Sequence, residues 1–335
     1  MEEKTPIDRV RESSGYSDVG TNKDGTIINT MKIANRLLVI KERSIYEMVF
    51  ADEVDPDRTN INLPRTINKL VINQGTESEL VARTFLMATK IFKPEYLRKG
   101  IDCDAILNLC IDLLSELSVL NEEIIKYFVE EEKVSAEYEQ RKNEGKGFQI
   151  PSITNIESRC KTIFQKADHI EQTLMEIVTH FYPGSGLKKQ SHFPRFREVL
   201  SNEHGENSGF TEFIGSTITF MRTIRELRNG LDHRLSNYKL SNFELQKSGD
   251  IIAPTIELNH KEVKMDRTSL GDFLEVTLNN LIEITEMTFV YLAGYAAKET
   301  GMAYQMKKIP EDRRRHEFVR YSFWMPIGEE GFYCQ

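Results

Sequence analysis

Residues 213–238 read FIGSTITFMRTIRELRNGLDHRLSNY, and their apolar spacing is that of a long amphipathic helix. Ile214, Ile218, Met221, Ile224, Leu227 and Leu231 recur three or four residues apart, a stripe that faces a core. Arg225, Asn229 and His233 are each four apart and stack on one face of a continuous helix, with Arg222 and Asp232 close to that row. Arg228 precedes His233 by five residues, about 140° around an ideal helix. The two meet only where the helix ends or bends, or where a second chain supplies the partner. Gly230 lies between them. Glycine weakens a helix interior by about 1 kcal/mol relative to alanine, so the sequence predicts a helix end near it.

The flanking sequence is predominantly helical in pattern. Residues 1–28 are polar and without period, and are expected to form a flexible arm. The spacing of Ile33, Leu37, Ile40, Ile45 and Met48 predicts a helix over 31–50. The acidic stretch at 52–57 superficially resembles a calcium loop but lacks the central glycine and distal glutamate, so it is taken as a loop. Helices are also predicted over 77–92 and 104–134, and residues 138–155 form a surface connection. The later helices are predicted at 156–181, near 194–203, and from 211 into the 230s. Between 237 and 266 short alternating runs predict a small antiparallel meander. Ser269 and Asp272 mark the start of a last helix, with Gly301 as its stop.

The expected fold is therefore mainly α, a helical bundle with a small antiparallel β insertion near 237–266 and an extra N-terminal helical region. The expected divisions are an arm at 1–28, a helical region of unassigned role at 29–150, a helical domain at 151–302 and a tail at 303–335.

The chain has 335 residues, 44 Lys and Arg against 52 Asp and Glu, and a net charge of −8. Hydrophobic residues make up 39% and charged residues 29%, enough apolar content for a core and too much for a disordered chain. The net acidity excludes a surface that is basic throughout, but leaves room for a local basic site. Cys103, Cys110, Cys160 and Cys334 form no Cys-x-x-Cys pair, which disfavours a zinc ribbon or disulfide framework and suits a reducing cytoplasm. The polar start suggests no secretory leader. The apolar run at 287–297 is too short to cross a bilayer, so no membrane partner is expected.

Arg228-Asn229-Gly-Leu-Asp-His233 resembles the signature of the HEPN superfamily (higher eukaryotes and prokaryotes nucleotide-binding): Arg, four to six residues, then His, with a polar residue directly after the Arg. The resemblance covers about 155–300. It implies a metal-independent endoribonuclease needing no cofactor, with Arg228, Asn229 and His233 as catalytic residues. Histidine ordinarily titrates near neutral pH and can exchange a proton with a ribose 2′-hydroxyl or a leaving 5′-oxygen. Arg228 would hold the scissile phosphate, and Asn229 would orient the imidazole or the phosphate. Arg222, Arg225 and Arg234 would add phosphate contacts. The resemblance further implies RNA as partner, a homodimer in which two motifs face each other, a cytoplasmic toxin or defence effector, and room for a regulatory protein partner. In one toxin branch a Tyr follows the His by two residues. Here that position is Leu235, and the nearest is Tyr238.

Other readings of the same residues stay open. Arg228 and Asp232 form a surface ion pair if the helix is merely structural, and His233 suits a helix C-terminus. The alternative function is a non-catalytic helical scaffold or nucleic-acid-binding module. A second Arg-to-His match, Arg197 to His204, lacks the following Asn. His169, Glu176 and His180 share a helix face, but without the spacing of a bundle metal site. Residues 183–189 carry glycines and lysines without Walker spacing and suit an interhelical loop. The arginines and aromatics at 313–324 suit either base stacking or, as favoured here, docking of a terminal segment.

Overall fold

The computed structural model describes residues 5–13, 17–145, 149–299, 304–328 and 331–335. Along the chain run α1 (Pro6–Glu12), β1 (Ile27–Ile33), β2 (Arg36–Lys41), β3 (Ile45–Phe50), α2 (Ala51–Val54) and β4 (Thr66–Ile72). Next come α3 (Glu79–Val81), a π-helical turn at Ala82–Leu86, α4 (Met87–Ile91) and the long α5 (Cys103–Asn143). Then follow α6 (Ile156–Phe181), α7 (Phe193–His204) and α8 (Gly209–His233). Five short strands come next: β5 (Tyr238–Ser241), β6 (Glu244–Leu245), β7 (Ile251–Ile252), β8 (Thr255–Asn259) and β9 (Lys264–Ser269). The chain ends with α9 (Leu270–Tyr295), β10 (Gln305–Lys308), β11 (Tyr321–Met325) and β12 (Phe332–Tyr333).

About half of the chain is helical and 18% is strand, in twelve strands and four separate antiparallel sheets among the described residues. This overturns the mainly α expectation: the protein is mixed α/β. It also divides elsewhere than at 150. One compact unit comprises 1–115 with 298–335, the other 116–297, and the division falls inside α5.

The first unit contains the largest correction. Residues 31–50, expected as a helix, are the hairpin strands of a sheet ordered β1-β2-β3-β4. Ile33 pairs with Arg36 across a two-residue turn in which Ala34 takes a positive φ of 51°, the backbone that tight hairpins require. The interior strand β2 contains the run Leu38-Val39-Ile40, fully buried, which suits a strand covered on both faces. Lys41 is buried at its end, its Nζ donating to the carbonyls of Val19 at 2.7 Å and Thr21 at 3.2 Å. Gly75 lies against that corner, where a Cβ would stand 2.2 Å from the Lys41 carbonyl oxygen.

The expected arm carries α1, capped by Thr5 and Asp8. Arg11 on this helix has a side chain only 1% exposed. Its guanidinium donates to Asp52 at 3.2 Å, to Asp55 at 3.1 Å and to the Asn60 carbonyl at 3.2 Å. Arg58 reaches back to Asp8 at 2.7 Å and Asp52 at 2.9 Å. Hydrogen bonds from Thr5 and Arg58 bring the Asp8 carboxyl down to about 2. The acidic stretch therefore clamps α1 through two arginines.

At the other end of this unit, β10, β11 and β12 form a sheet in that order. Phe323 is buried against Tyr96, ring centroids 5.0 Å apart, as the docking expectation has it. Nearby, Arg314 donates to the carbonyls of Ile309 and Glu317 and faces Glu311 at 3.8 Å, and Arg315 donates to Gln335.

In the second unit, α8 packs on both α6 and α7, and α9 packs on α6. Side chains start two of these helices: Ser208 accepts from the Thr211 amide at 3.3 Å, and Ser269 from the Asp272 amide at 3.3 Å, the N-cap device. The strands between α8 and α9 form a sheet ordered β5-β8-β9 and a separate β6-β7 pair. α9 ends at Tyr295, and Gly301 lies outside the described residues. Among the described residues no helix is long and apolar enough to cross a membrane.

Arg11→Ala is expected to lower stability by about 2–3 kcal/mol, because it empties a buried guanidinium site and leaves Asp55, 13% exposed at its side chain, without that cation. Arg11→Lys should restore less than half of this, since one ammonium cannot span both aspartates. Urea midpoints at an unchanged slope measure both effects.

Candidate functional site

The site sits where α6 faces α8. On α6, Asp168 and Glu171 are three residues apart and buried, Glu171 completely. On α8, Arg225 and Arg228 are also three apart, and the two rows meet. Arg225 Nη2 lies 2.7 Å from Glu171 Oε2, and Arg228 Nη2 lies 2.9 Å from Asp168 Oδ2. Glu171 also accepts the Phe193 amide at 3.1 Å and faces His192 Nδ1 at 3.3 Å. One carboxylate thereby joins α6, α8 and the start of α7. Burial pushes the Glu171 carboxyl up, but the hydrogen bond to His192 and the charge and hydrogen bond of Arg225 outweigh it. The net direction is below the ordinary glutamate value. Asp168 Oδ1 and Arg225 Nε, 3.9 Å apart, are both shut off from solvent without a hydrogen bond.

The expected catalytic residues are distributed along the last turns of α8. Arg228, 27% exposed at its side chain, also faces Asp232 at 3.6 Å. Asp232 in turn holds Lys161 at 3.0 Å and accepts from Gln165 at 3.2 Å. Burial raises the Asp232 carboxyl, while Lys161, Arg228 and His233 together bring it below the ordinary aspartate value. Asn229 is half-buried and His233 exposed, and among the described residues neither side chain makes a hydrogen bond or a close ion pair.

Of the expected phosphate contacts, Arg225 is committed to Glu171, and Arg222 faces Glu262 at 3.6 Å. Arg234 is exposed. The sequence pattern did not mark Asp168 and Glu171 as partners of the arginines. The available signal was two acids on an otherwise apolar helix face, spaced as Arg225 and Arg228 are.

The helix does not break at Gly230. It runs to His233, and Arg234 closes it with a left-handed conformation, φ 51° and ψ 46°. Arg228 and His233 are thus about 140° apart on one continuous helix, and a single chain does not bring them face to face. The glycine answers a different need: a Cβ at 230 would stand 2.6 Å from Tyr238 Cδ1. Tyr238, packed there, lines an open cleft of about 870 Å³. Lys161, Arg234 and Lys239 bring positive charge to the cleft, against Glu157 and Asp232. Arg228, Asn229 and His233 are not among its lining residues. Comparison with protein-family models, curated proteins and solved structures finds no match.

The competing candidates resolve into structural roles. His204 shares a hydrogen bond with Tyr182 at 2.9 Å and lies against the Tyr295 ring, centroids 4.2 Å apart and planes tilted by 41°, while Arg197 faces Glu206 at 3.7 Å. Glu176 pairs with Lys189 at 2.6 Å, and among the described residues no cluster of three ligands suits a metal ion.

Gly230→Ala is expected to destabilise by about 1 kcal/mol, although the same change in an unhindered helix stabilises by that amount. Adding Tyr238→Ala should reverse the sign of the Gly230→Ala effect, which thermal unfolding of the four members of the cycle reads. Glu171 and Asp232 have folded-state values below their unfolded ones. Their contribution is therefore complete above about pH 4.5 and is lost as pH falls through the lowered values. Glu171→Gln should cost about 3 kcal/mol near neutrality and flatten the fall in stability between about pH 5 and 3, as measured by urea unfolding across that range.

Proposed function

We propose that the 116–297 unit is a metal-independent RNA phosphodiesterase of the HEPN type, acting as a dimer in the cytoplasm. The observation that carries this reading is the pair Asn229 and His233, one turn apart at the end of α8, with no hydrogen-bonding partner among the described residues. Four free, buried cysteines suit a reducing compartment.

In this reading His233 removes the proton from a ribose 2′-hydroxyl, and the oxygen attacks the adjacent phosphorus. The 5′-oxygen leaves and takes a proton from water while His233 returns its own to solvent, giving a 2′,3′-cyclic phosphate and a 5′-hydroxyl. Arg228 has five N–H donors, so a phosphate oxygen can bind it without displacing Asp168. Because Arg228 and His233 point apart on α8, a second copy is needed to complete the constellation. Arg234 and Lys239, both lining the cleft, offer charge for flanking phosphates.

A second reading has its own support. Arg225 and Arg228 both bind buried carboxylates of α6, which is what a non-catalytic helical scaffold would use them for.

Incubating the full chain with mixed RNA in EDTA separates the two. Cleavage that leaves cyclic phosphate ends and falls by about 10²- to 10⁴-fold in His233→Ala supports the enzyme. Equal activity in both proteins removes His233 from the mechanism, and no cleavage by either leaves the scaffold.

A further inference from the structure

A different feature lies in the unit formed by 1–115 and 298–335. It encloses a cavity of about 280 Å³ among β1, β2, the 82–91 helical segment and the 315–319 loop. Three cation-forming side chains line it, Lys90, Arg315 and His316, and the residues lining it include no Asp or Glu. The rest of the wall is half apolar, with Ile40 and Val319 buried, Leu86 part-buried and Ile28, otherwise an exposed strand residue, at the rim, and half polar, including Gln335, whose carbonyl accepts from Arg315 at 3.3 Å.

The charges are unusually placed for a protein of net charge −8. Lys90 is half-buried and makes no ion pair or side-chain hydrogen bond among the described residues. Its ammonium titrates below the ordinary lysine value, because burial and then the charges of Lys93 and Arg315 disfavour it. Like charges gathered around a desolvated ammonium are unfavourable unless something neutralises them. His316 also lines the cavity, with neither ring nitrogen open to it. Its Nε2 lies 2.7 Å from the Thr76 carbonyl oxygen, so that nitrogen carries the hydrogen. Its Nδ1 is sealed from solvent with no hydrogen-bond partner.

We propose that this cavity binds a small organic anion, a carboxylate or phosphate ester on an apolar, ring-sized body. Lys90 and Arg315 hold the charged group, and the Ile40, Leu86 and Val319 side chains cover the body. The volume falls just below the usual range for ligand pockets, about 300–1,000 Å³, which sets the body at a single ring. The site is independent of the ribonuclease reading and stands or falls apart from it.

Calorimetric titration of the full chain tests the assignment with four probes: benzoate, phenyl phosphate, inorganic phosphate and benzyl alcohol. The two aromatic anions, or whichever of them matches the site, should saturate one site per chain. They should bind about tenfold or more tightly than inorganic phosphate, which lacks the body, or benzyl alcohol, which lacks the charge. Lys90→Met should weaken that binding about tenfold while raising the melting temperature of the free protein, since it removes an uncompensated charge. Lys90→Arg should retain binding, and Arg315→Gln supplies the same loss should Lys90→Met fold poorly. Failure of both aromatic anions to saturate overturns the proposal. So does benzyl alcohol binding as tightly, inorganic phosphate binding as tightly, or unchanged affinity in Lys90→Met and Arg315→Gln.

Discussion

Two carboxylates on α6 that water does not reach, Asp168 and Glu171, set the terms for the helical half of this protein. Burying them carries a desolvation cost of several kcal/mol each in general, and the sequence answers with Arg225 and Arg228 at matching spacing on α8. Such pairs roughly break even against apolar packing of equal volume. What they contribute is register. Sliding α8 by four residues relative to α6 would set Met221 and Ile224, or Asn229 and Asp232, against Glu171 and Asp168. Glu171 extends the constraint to the start of α7 through the Phe193 amide. The apolar stripe makes these helices associate, and the ion pairs fix where along each other they do so.

The same economy explains why a patch that looks basic in the sequence is far less so in the fold. Arg222, Arg225 and Arg228 all face carboxylates, and Arg234 alone of the motif arginines makes no ion pair among the described residues. Three of the four arginines are structural in their resting contacts. The cationic character of the cleft comes as much from Lys161 and Lys239, which no motif marks. In the other unit, Lys90 stands without a counter-ion. Local charge balance, rather than the total of −8, identifies where an anion is wanted.

What was legible in the sequence was what depends on neighbours along the chain. α6, α8 and α9 announce themselves by apolar spacing, and α9 also by Ser269 at its start, because a helix is built from contacts three and four residues apart. Residues 31–50 were misread for the complementary reason. The spacing of Ile33, Leu37, Ile40, Ile45 and Met48 imitates a helical stripe, while the deciding facts are non-local: β2 is covered on both faces, and Lys41 is capped by carbonyls about twenty residues away. The expected arm failed likewise, because Arg11 finds its partners 41 and 44 residues further on. Polar composition in 1–28 reported on solvation, not on the clamp that α2 and its following loop provide.

The candidate site combines both kinds of information, and its geometry limits how it can work. Arg228 contacts Asp168 at 2.9 Å, a partner it cannot surrender without leaving a buried charge, and Asp232 at 3.6 Å, a longer and more exposed contact. Asp232 has a closer cation in Lys161 at 3.0 Å. A phosphate approaching Arg228 therefore has one cheap exchange open to it: it takes the place of Asp232, which stays neutralised by Lys161, while Asp168 continues to hold the guanidinium in position. His233 cannot serve that phosphate from the same helix, being about 140° away. Only an α8 from a second copy can present an imidazole to it. A chain that cleaves RNA with this motif is thus required by its own helix geometry to do so in pairs, whereas a chain that uses the arginines solely to register α6 against α8 has no such requirement.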